Sequence, residues 1–351
     1  MSRVFTVYNC GTGFNRTQTD EVVANMASRT SGAENRDWMV TDGVGQAFNT
    51  PGTFDPITGK KNVLGHMDER AILVALGSIS GWGWEQNERH VWAVISSLIS
   101  GSSAAPDTIN MVGWSRGAIT CHMIAHALAK TPQTRHLKVN IFAFDPVPGP
   151  GNFKPDKITL ATNIHDYSVV QMDNEQRWIM RPMSFDGISE SDVHGKYNYH
   201  VLPGQHDTGV MRARGAVGMI GAGLAHAFMT RHGTSLRSPL SYTPKEYCNL
   251  YAVARLNILK YKKAPTNNRA QQLGGLATHR RGLAPVSTVP KKLVETEYFV
   301  NNHHAHMFRK AFPNVYMRLQ AGATLTGMAS QTLKAAAHMT HTSLVEAGLA
   351  A

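Results

Sequence analysis

Residues 108–118, with the sequence TINMVGWSRGA, decide the fold. Residues 108–112 form a short apolar run typical of a buried strand, and the run ends at the pentapeptide GWSRG. Residues 118–130 are rich in helix-forming side chains and are followed by a Thr-Pro pair, so a helix is predicted there. A GxSxG pentapeptide between a strand and a helix is typical of the sharp turn that holds a nucleophilic serine above a sheet.

This turn makes Ser115 the candidate nucleophile, and Gly113 and Gly117 are the flanking glycines that remove clashing side chains. A serine hydroxyl needs a histidine to take its proton and an acid to hold that histidine. With this turn the acid and then the histidine follow the serine along the chain. We therefore predict Asp145 as the acid and His206 as the base.

Both candidates follow predicted strands, at residues 139–144 and 197–202, and both lie in turns that contain glycine or proline. Asp166 and Asp173 follow the next strand region and remain alternatives for the acid. Asp207 adjoins His206 and is predicted to fix the loop, because neighbouring side chains seldom pair in acid–base geometry.

An oxyanion hole needs two N–H donors that converge on the developing negative charge. One is usually the backbone N–H directly after the nucleophile, which here belongs to Arg116. The glycine-rich turn after the first predicted strand offers the second, from Thr12 or Gly13. The same turn is equally compatible with a purely structural role.

Strands that alternate with helices and end in glycine or proline turns predict an α/β fold, with a mostly parallel central sheet flanked by helices. Together with the GxSxG turn, this favours an α/β-hydrolase fold. Residues 31–62 lack periodicity and predict a long loop, and residues 264–290 predict a linker. The other predicted strands are residues 3–8 and 158–162, with 167–170 as the alternative to the latter. The other predicted helices are 87–100, 211–229, 244–263, 294–312 and 315–349.

Composition excludes several classes of protein. The chain has 351 residues, 42% of them apolar and 17% charged, which is typical of a globular protein with a large core. No apolar stretch is long enough to predict a transmembrane helix, and no cleavable signal is predicted at the N-terminus. Three cysteines without a CxxC pair predict neither a disulfide framework nor a cysteine zinc site.

The positive charge is concentrated near the C-terminus. Residues 1–249 contain 22 Lys and Arg against 21 Asp and Glu, whereas residues 250–351 contain 13 against three. We predict a catalytic domain at residues 1–240 and a basic helical region at 241–351, either a lid or a membrane-contact element. A solvated helix face explains the charge equally well.

The other histidines do not predict a metal site. His122 and His126 share a helix face without the glutamate of a zinc motif, so both are predicted to be structural. The cluster at residues 303–306, HHAH, has no carboxylate or cysteine at ligand spacing, and a polar helix face is favoured. The acidic, Asn-rich loop at residues 42–55 leaves calcium binding open.

Five segments, in the same order, resemble the DUF2235 α/β-hydrolases, a family that includes catalytic domains of type VI secretion system lipase effectors. The family's DGTxN and GFSRGA elements resemble NCGTGFN at residues 9–15 and GWSRGA at 113–118. Its FDTV, DExR and GxHsDvGG elements resemble FDPV at 144–147, DNEQR at 173–177 and GQHDTG at 204–209. Asn9 and Pro146 depart from the family pattern, which places Asp and Thr there.

The resemblance implies a secreted antibacterial phospholipase that cleaves acyl esters of membrane glycerophospholipids with a Ser-Asp-His triad and no required cofactor. It implies injection into a target cell without a cleavable signal, and action at the membrane or in the periplasm. It further implies a cognate immunity protein and a secretion-apparatus component as partners. The basic residues would then contact anionic lipid; they are Lys260, Lys262, Lys263, Arg280, Arg281, Lys291 and Lys292.

Two other functions agree with the same residues: a soluble acyl esterase or thioesterase, and a lipid-binding module with a degenerate elbow. Nucleic-acid binding is not predicted, because the aromatic residues of the basic region are at spacings that suit helix packing better than base stacking. They are Tyr251, Tyr261, Tyr298 and Phe299.

Overall fold

A computed structural model describes residues 3–44, 83–101, 105–149, 152, 154–172, 175, 180, 183, 196–211, 215–261, 308–309 and 313–320. The described strands are β1 (Val4–Asn9), β2 (Trp38–Thr41), β3 (Thr108–Trp114), β4 (Lys138–Phe144), β5 (Ile164–Met172) and β6 (Lys196–Leu202). The described helices are α1 (Val22–Arg29), α2 (Trp84–Gly101), α3 (Arg116–Lys130), α4 (Pro155–Ile158), α5 (Ala216–Arg231), α6 (Pro244–Tyr261) and α7 (Pro313–Gln320).

The six described strands form one sheet in the order β2-β1-β3-β4-β5-β6, and every pair in it is parallel. The carboxyl ends of all six strands therefore meet at one edge of the sheet, where ligands gather in folds of this kind. The predicted fold class, a parallel central sheet flanked by helices, is confirmed.

Alternating side chains along each strand enter two apolar layers. In β1, Phe5 and Val7 pack with α2 and α3 on one face of the sheet, whereas Tyr8 packs with α1, α5 and α6 on the other. Both faces are buried, as parallel sheets require. The sheet edge that carries the candidate residues thus rests on a core with helices on both sides.

Two strand predictions differ from the structure. Residues 31–62, predicted to be a loop, contain β2, a four-residue strand that pairs with β1 and is too short to show periodicity in the sequence. Residues 158–162 are not a strand, because Pro155 opens the short helix α4 just before them. The alternative at residues 167–170 is correct and lies within β5.

The predicted helices at residues 87–100, 118–130, 211–229 and 244–263 are confirmed as α2, α3, α5 and α6, with shifted ends. The predicted capping box of α6 is present: the Thr243 N–H donates to Glu246 Oε2 over 2.5 Å, and the Glu246 N–H donates to Thr243 Oγ1 over 3.3 Å. The predicted linker and most of the two C-terminal helices lie outside the described residues, and the division at residue 240 stays a prediction. Within the described ranges, no helix is both long and apolar enough to cross a membrane.

Candidate active site

Ser115 occupies a sharp turn between β3 and α3. Its backbone has φ 58° and ψ −121°, in a region that costs free energy for a residue with a side chain. Its N–H donates to the carbonyl of Phe144 at the end of the neighbouring strand, over 2.9 Å. The turn projects the hydroxyl over the carboxyl edge of the sheet, as the GxSxG spacing predicts.

Both flanking glycines are required by close backbone contacts. A Cβ atom on Gly113 would lie 2.5 Å from the carbonyl oxygen of Gly117. A Cβ atom on Gly117 would lie 2.2 Å from the carbonyl oxygen of Asn9, at the end of β1. The turn therefore closes on itself, and fits against the end of β1, only when both positions are glycine.

The structure brings the three predicted side chains together. His206 Nε2 lies 2.8 Å from Ser115 Oγ, and His206 Nδ1 lies 2.5 Å from Asp145 Oδ2. All three residues are buried, with exposed fractions of 4% or less. Ser115, His206 and Asp145 thus form a continuous hydrogen-bonded chain shielded from water, although 91 residues separate the serine from the histidine.

Asp145 is held from two directions. Its N–H donates to the carbonyl of Val170 over 2.6 Å, and its Oδ1 accepts from the N–H of Met172 over 3.1 Å. Its φ of 40° lies in the left-handed region, as does that of Ser115. The neighbouring strand β5 thereby fixes one carboxylate oxygen and leaves the other for His206.

Asp166, one alternative acid, lies near the beginning of β5, away from Ser115. Its Oδ2 accepts from Arg231 Nη2 over 3.1 Å and from His232 Nε2 over 2.9 Å. The structure therefore does not bring it to the candidate nucleophile. Asp173 lies outside the described residues. The backbone carbonyl of Asp207 accepts from the N–H groups of Val210 and Met211, and the loop-fixing role of its side chain stays a prediction.

The turn after β1 lies beside the Ser115 turn, where an oxyanion hole would be expected. A Cβ atom on Gly11 would meet the Trp114 ring at 2.2 Å, so the two segments are in close contact. The N–H of Gly13 points to the carbonyl of Val44, 3.4 Å away, which favours Thr12 over Gly13 as the second donor. The donor roles of Arg116, Thr12 and Gly13 stay predictions.

Sequence reasoning gave no role to Glu175, which fixes the backbone of His206. Its buried Oε2 accepts from the His206 N–H over 2.9 Å. On the other side, the indole N–H of Trp114 donates to the carbonyl of His206 over 3.3 Å. The available signal was the position of Glu175 within the DNEQR segment, but nothing in that segment predicts its contact.

Aromatic side chains form a wall beside the histidine. The Trp114 ring lies 5.4 Å from the His206 ring and 4.9 Å from the Phe14 ring, centroid to centroid. This wall is apolar apart from the indole N–H, which is already engaged with His206. Trp114 is 4% exposed and belongs to the core, whereas Phe14 is half-buried, so the wall packs against the His206 ring.

The side chain of Arg116 lies under the loop that follows Asp145. It is fully buried, and desolvation lowers the pKa of its guanidinium to about 10. A Cβ atom on Gly149 would lie 2.8 Å from Arg116 Nη2, and Gly149 has φ 75°. Arg116, the residue after Ser115, therefore also packs against the loop that follows Asp145.

Glu21 is a buried acid that sequence reasoning did not single out. It caps α1, where its Oε2 accepts from the N–H of Ala24 over 3.1 Å. Burial raises the pKa of its carboxyl to about 8, because desolvation penalises the charged form. Glu21 is therefore mostly protonated in the folded protein at neutral pH.

The other predicted histidines make structural contacts. His122 hydrogen-bonds through its two ring nitrogens to Lys157 O and Tyr167 Oη, and burial lowers its pKa to about 4. His126 Nε2 lies 3.1 Å from Thr159 O. Across the described part of the chain, no three His, Cys, Asp or Glu side chains form a group that could hold a metal ion. The histidines at 303–306 and residues 45–55 of the proposed calcium loop lie outside that part.

No protein-family model and no curated protein matches the chain. Among solved structures, an uncharacterized protein from Pseudomonas aeruginosa matches with 13% identity and a TM-score of 0.44 over 95% of this chain; the chain spans 62% of that protein's length.

The peroxisomal α/β-hydrolase Lpx1 of Saccharomyces cerevisiae matches with 11% identity and a TM-score of 0.37, over 76% of this chain and 87% of its own. A dienelactone hydrolase-like promiscuous phosphotriesterase from metagenomic libraries matches with 11% identity and a TM-score of 0.31, over 73% and 85%. These are distant similarities to α/β-hydrolases.

Proposed function

We propose that the protein is a serine hydrolase that cleaves acyl esters of membrane glycerophospholipids. The observation that carries the proposal is the hydrogen-bonded chain from Asp145 through His206 to Ser115, with distances of 2.5 and 2.8 Å. A buried nucleophile, base and acid in this order form the arrangement that serine hydrolases use for acyl transfer.

The geometry assigns a task to each side chain. Asp145 accepts a hydrogen bond from the Nδ1–H of His206 and so fixes the tautomer in which Nε2 is free to take the proton of Ser115. Ser115 Oγ then attacks the ester carbonyl, and the proton taken by His206 passes to the leaving lysophospholipid alkoxide. Water, deprotonated by His206, attacks the acyl-enzyme and releases the fatty acid.

The developing oxyanion is stabilised by N–H donors next to the nucleophile. We assign the Arg116 N–H and a donor from residues 12–13 to this task, since the turn after β1 lies against Trp114. Every proton in the scheme moves among Ser115, His206, the leaving group and water. The proposed reaction therefore needs no cofactor.

Two observations favour a lipid substrate. The half-buried Phe14 ring, which packs on Trp114 beside His206, gives an acyl chain an apolar side chain to contact. The five-segment resemblance to DUF2235 lipase effectors points to membrane phospholipid, and the basic residues of the 250–351 segment suit an anionic bilayer surface. On this proposal the protein is an antibacterial effector that acts at the membrane of a target cell, and its producer carries an immunity protein.

The test measures fatty-acid release from phospholipid vesicles by mass spectrometry, together with labelling by a fluorophosphonate probe. Ser115→Ala should abolish labelling and reduce release by at least about a thousandfold, with the fold preserved. Ser97→Ala, on the exposed face of α2, is the matched control and should behave as the wild type.

Undiminished release by Ser115→Ala would end the proposal. Turnover of short soluble esters or thioesters without vesicle hydrolysis would assign an esterase or thioesterase instead. Vesicle binding without any probe labelling would assign a lipid-binding module.

A further inference from the structure

A second site lies at the opposite edge of the sheet from Ser115. A cavity of about 880 Å³ opens where the parallel strands begin, and its lining includes Arg3, Thr108, Lys138 and His165, together with residues 231–235 at the end of α5 and directly after it. We call this cavity the amino-edge cleft. Its volume is within the range of small-molecule sites, and it contains none of the residues of the candidate active site.

Where the cleft meets the sheet, its lining includes members of a row of polar side chains that crosses four strands. Thr6, Asn110, Asn140 and Asp166 are register partners on four adjacent strands, so their side chains lie on the same face. Asn140 Nδ2 donates to Asn110 Oδ1 over 2.9 Å, and Asn110 Nδ2 donates to Thr234 Oγ1 over 2.9 Å. Four neighbouring polar residues in the middle of a buried sheet face are unusual, because polar burial is costly.

Two acceptor atoms in this row lack a donor. Asn140 lines the cleft, is 3% exposed, and its Oδ1 has no hydrogen-bond partner. Asp166, its neighbour in register, is equally buried, and its Oδ1 also has none. Buried acceptors cost free energy unless a donor reaches them. Of these two residues only Asn140 lines the cleft, so its Oδ1 is the acceptor that a ligand hydroxyl would satisfy.

The rim of the cleft is cationic. Lys138 is exposed and forms no ion pair with any described residue, whereas the half-exposed Arg231 side chain is paired with Asp166 over 3.1 Å, so Lys138 is the cation with the least local compensation. Arg3 and the imidazoles of His165 and His232 add to the same lining. The lining carboxylate, Asp37, is paired with Arg36 over 2.8 Å. The rim therefore favours an anion with several oxygen atoms, such as phosphate.

We propose that the amino-edge cleft binds a phosphorylated polyol, with the phosphate on Lys138, Arg3 and Arg231 and the hydroxyls directed to Asn140. The ligand is either a free polyol phosphate or the glycerophosphate headgroup of a lipid, which share this chemistry. The site is separate from the Ser115 centre, and ligand binding does not depend on the proposed hydrolysis.

The experiment titrates the full-length protein with glycerol 3-phosphate, and separately with inorganic phosphate, by isothermal titration calorimetry. We expect glycerol 3-phosphate to bind more tightly than inorganic phosphate, because its hydroxyls extend towards Asn140 while its phosphate stays at the cationic rim. Lys138→Gln should weaken the binding of both by about tenfold, the effect of one charge-assisted hydrogen bond. Lys130→Gln, an exposed charge on α3 outside the cleft, is the control and should change neither.

Asn140→Ser should remove the preference for glycerol 3-phosphate while binding of inorganic phosphate persists. If this variant does not fold, the comparison of glycerol 3-phosphate with inorganic phosphate on the wild-type protein still tests the proposal. Equal affinity for both ligands, no binding of glycerol 3-phosphate, or the same loss in Lys138→Gln and Lys130→Gln would overturn the proposal. Ser115→Ala should bind as the wild type, so the outcome is independent of catalysis.

Sedimentation with vesicles distinguishes the two sources of the ligand. Vesicles of phosphatidylcholine alone are compared with vesicles that also contain phosphatidylglycerol. Binding that requires phosphatidylglycerol and is lost in Lys138→Gln supports a lipid headgroup. Binding of free glycerol 3-phosphate, with vesicle binding unaffected by Lys138→Gln, supports a soluble ligand.

Discussion

The backbone N–H of His206 donates to the buried carboxylate of Glu175 over 2.9 Å. This bond positions the main chain of the candidate base, whereas Asp145 orients its ring. A side chain outside the Asp145–His206–Ser115 hydrogen-bonded chain thus helps to set where the imidazole lies. Errors of position of about 1 Å can cost a hundredfold in rate, so such a contact has kinetic consequences.

Replacement of Glu175 tests this positioning role. We expect Glu175→Ala to lower kcat by about ten- to a hundredfold with little change in KM, because the loop of His206 loses its anchor. Glu175→Gln retains an acceptor oxygen and should recover most of the activity. The measurement is steady-state hydrolysis with fluorophosphonate labelling rates. Equal activity of the Ala variant and the wild type would refute the role.

Replacement of the two competing acids separates their functions. Asp145→Asn should lower kcat by about 10³- to 10⁴-fold, since an amide no longer holds His206 in the tautomer that accepts from Ser115. Asp166→Asn leaves the Ser115 centre intact and should retain activity in folded protein. Both are checked by kinetics, with circular dichroism as the control for folding. A larger loss in Asp166→Asn would reverse the assignment.

Glu21 predicts a pH dependence of stability. Its folded pKa of about 8 exceeds the ordinary value of 4.5, so between these values the folded state holds a proton that the unfolded state releases. The free energy of unfolding should therefore fall as pH rises from 4.5 to about 8, by up to about 1.4 kcal/mol per unit. Urea unfolding at several pH values measures this slope.

Glu21→Gln should flatten that slope, because the amide cannot ionise but still offers an oxygen to the Ala24 N–H. Asp20→Asn changes an exposed carboxyl next to it and serves as the control, in which the slope should survive. A slope that persists unchanged in Glu21→Gln would show that another group causes it.

The backbone of Asn9 lies so close to Gly117 that one added methyl group should have a large effect on stability. Gly117→Ala should destabilise the fold by about 1–3 kcal/mol or more and reduce activity, because its Cβ would meet the backbone of Asn9 at 2.2 Å. Gly101→Ala adds the same group at the end of α2, where nothing lies within 4 Å, and should be tolerated. Thermal unfolding compares the two. Equal midpoints would contradict the packing argument.

Local sequence was sufficient for much of this structure. The Ser115 turn was predictable because its strand, its two glycines and its helix are contiguous in the sequence. Asp145 and His206 could be proposed because both follow strands that end at the same edge of the sheet. Strand β2 was missed because four residues carry no periodicity. Glu175 and the polar row were not predictable, since their partners lie far away in sequence and only the folded sheet brings them together.

The row of polar side chains has a consequence for the opposite edge of the sheet. Asn140 Nδ2 donates a buried hydrogen bond to Asn110 Oδ1. Ser115 follows Asn110 by five residues, and Asp145 follows Asn140 by five. A slip of one residue between β3 and β4 would place one of the two amides on the opposite face of the sheet. It would also change the distance between Ser115 and Asp145. The hydrogen bond between the two amides therefore favours the observed register of β3 and β4. That register in turn fixes the distance between Ser115 and Asp145 at the other end of the strands.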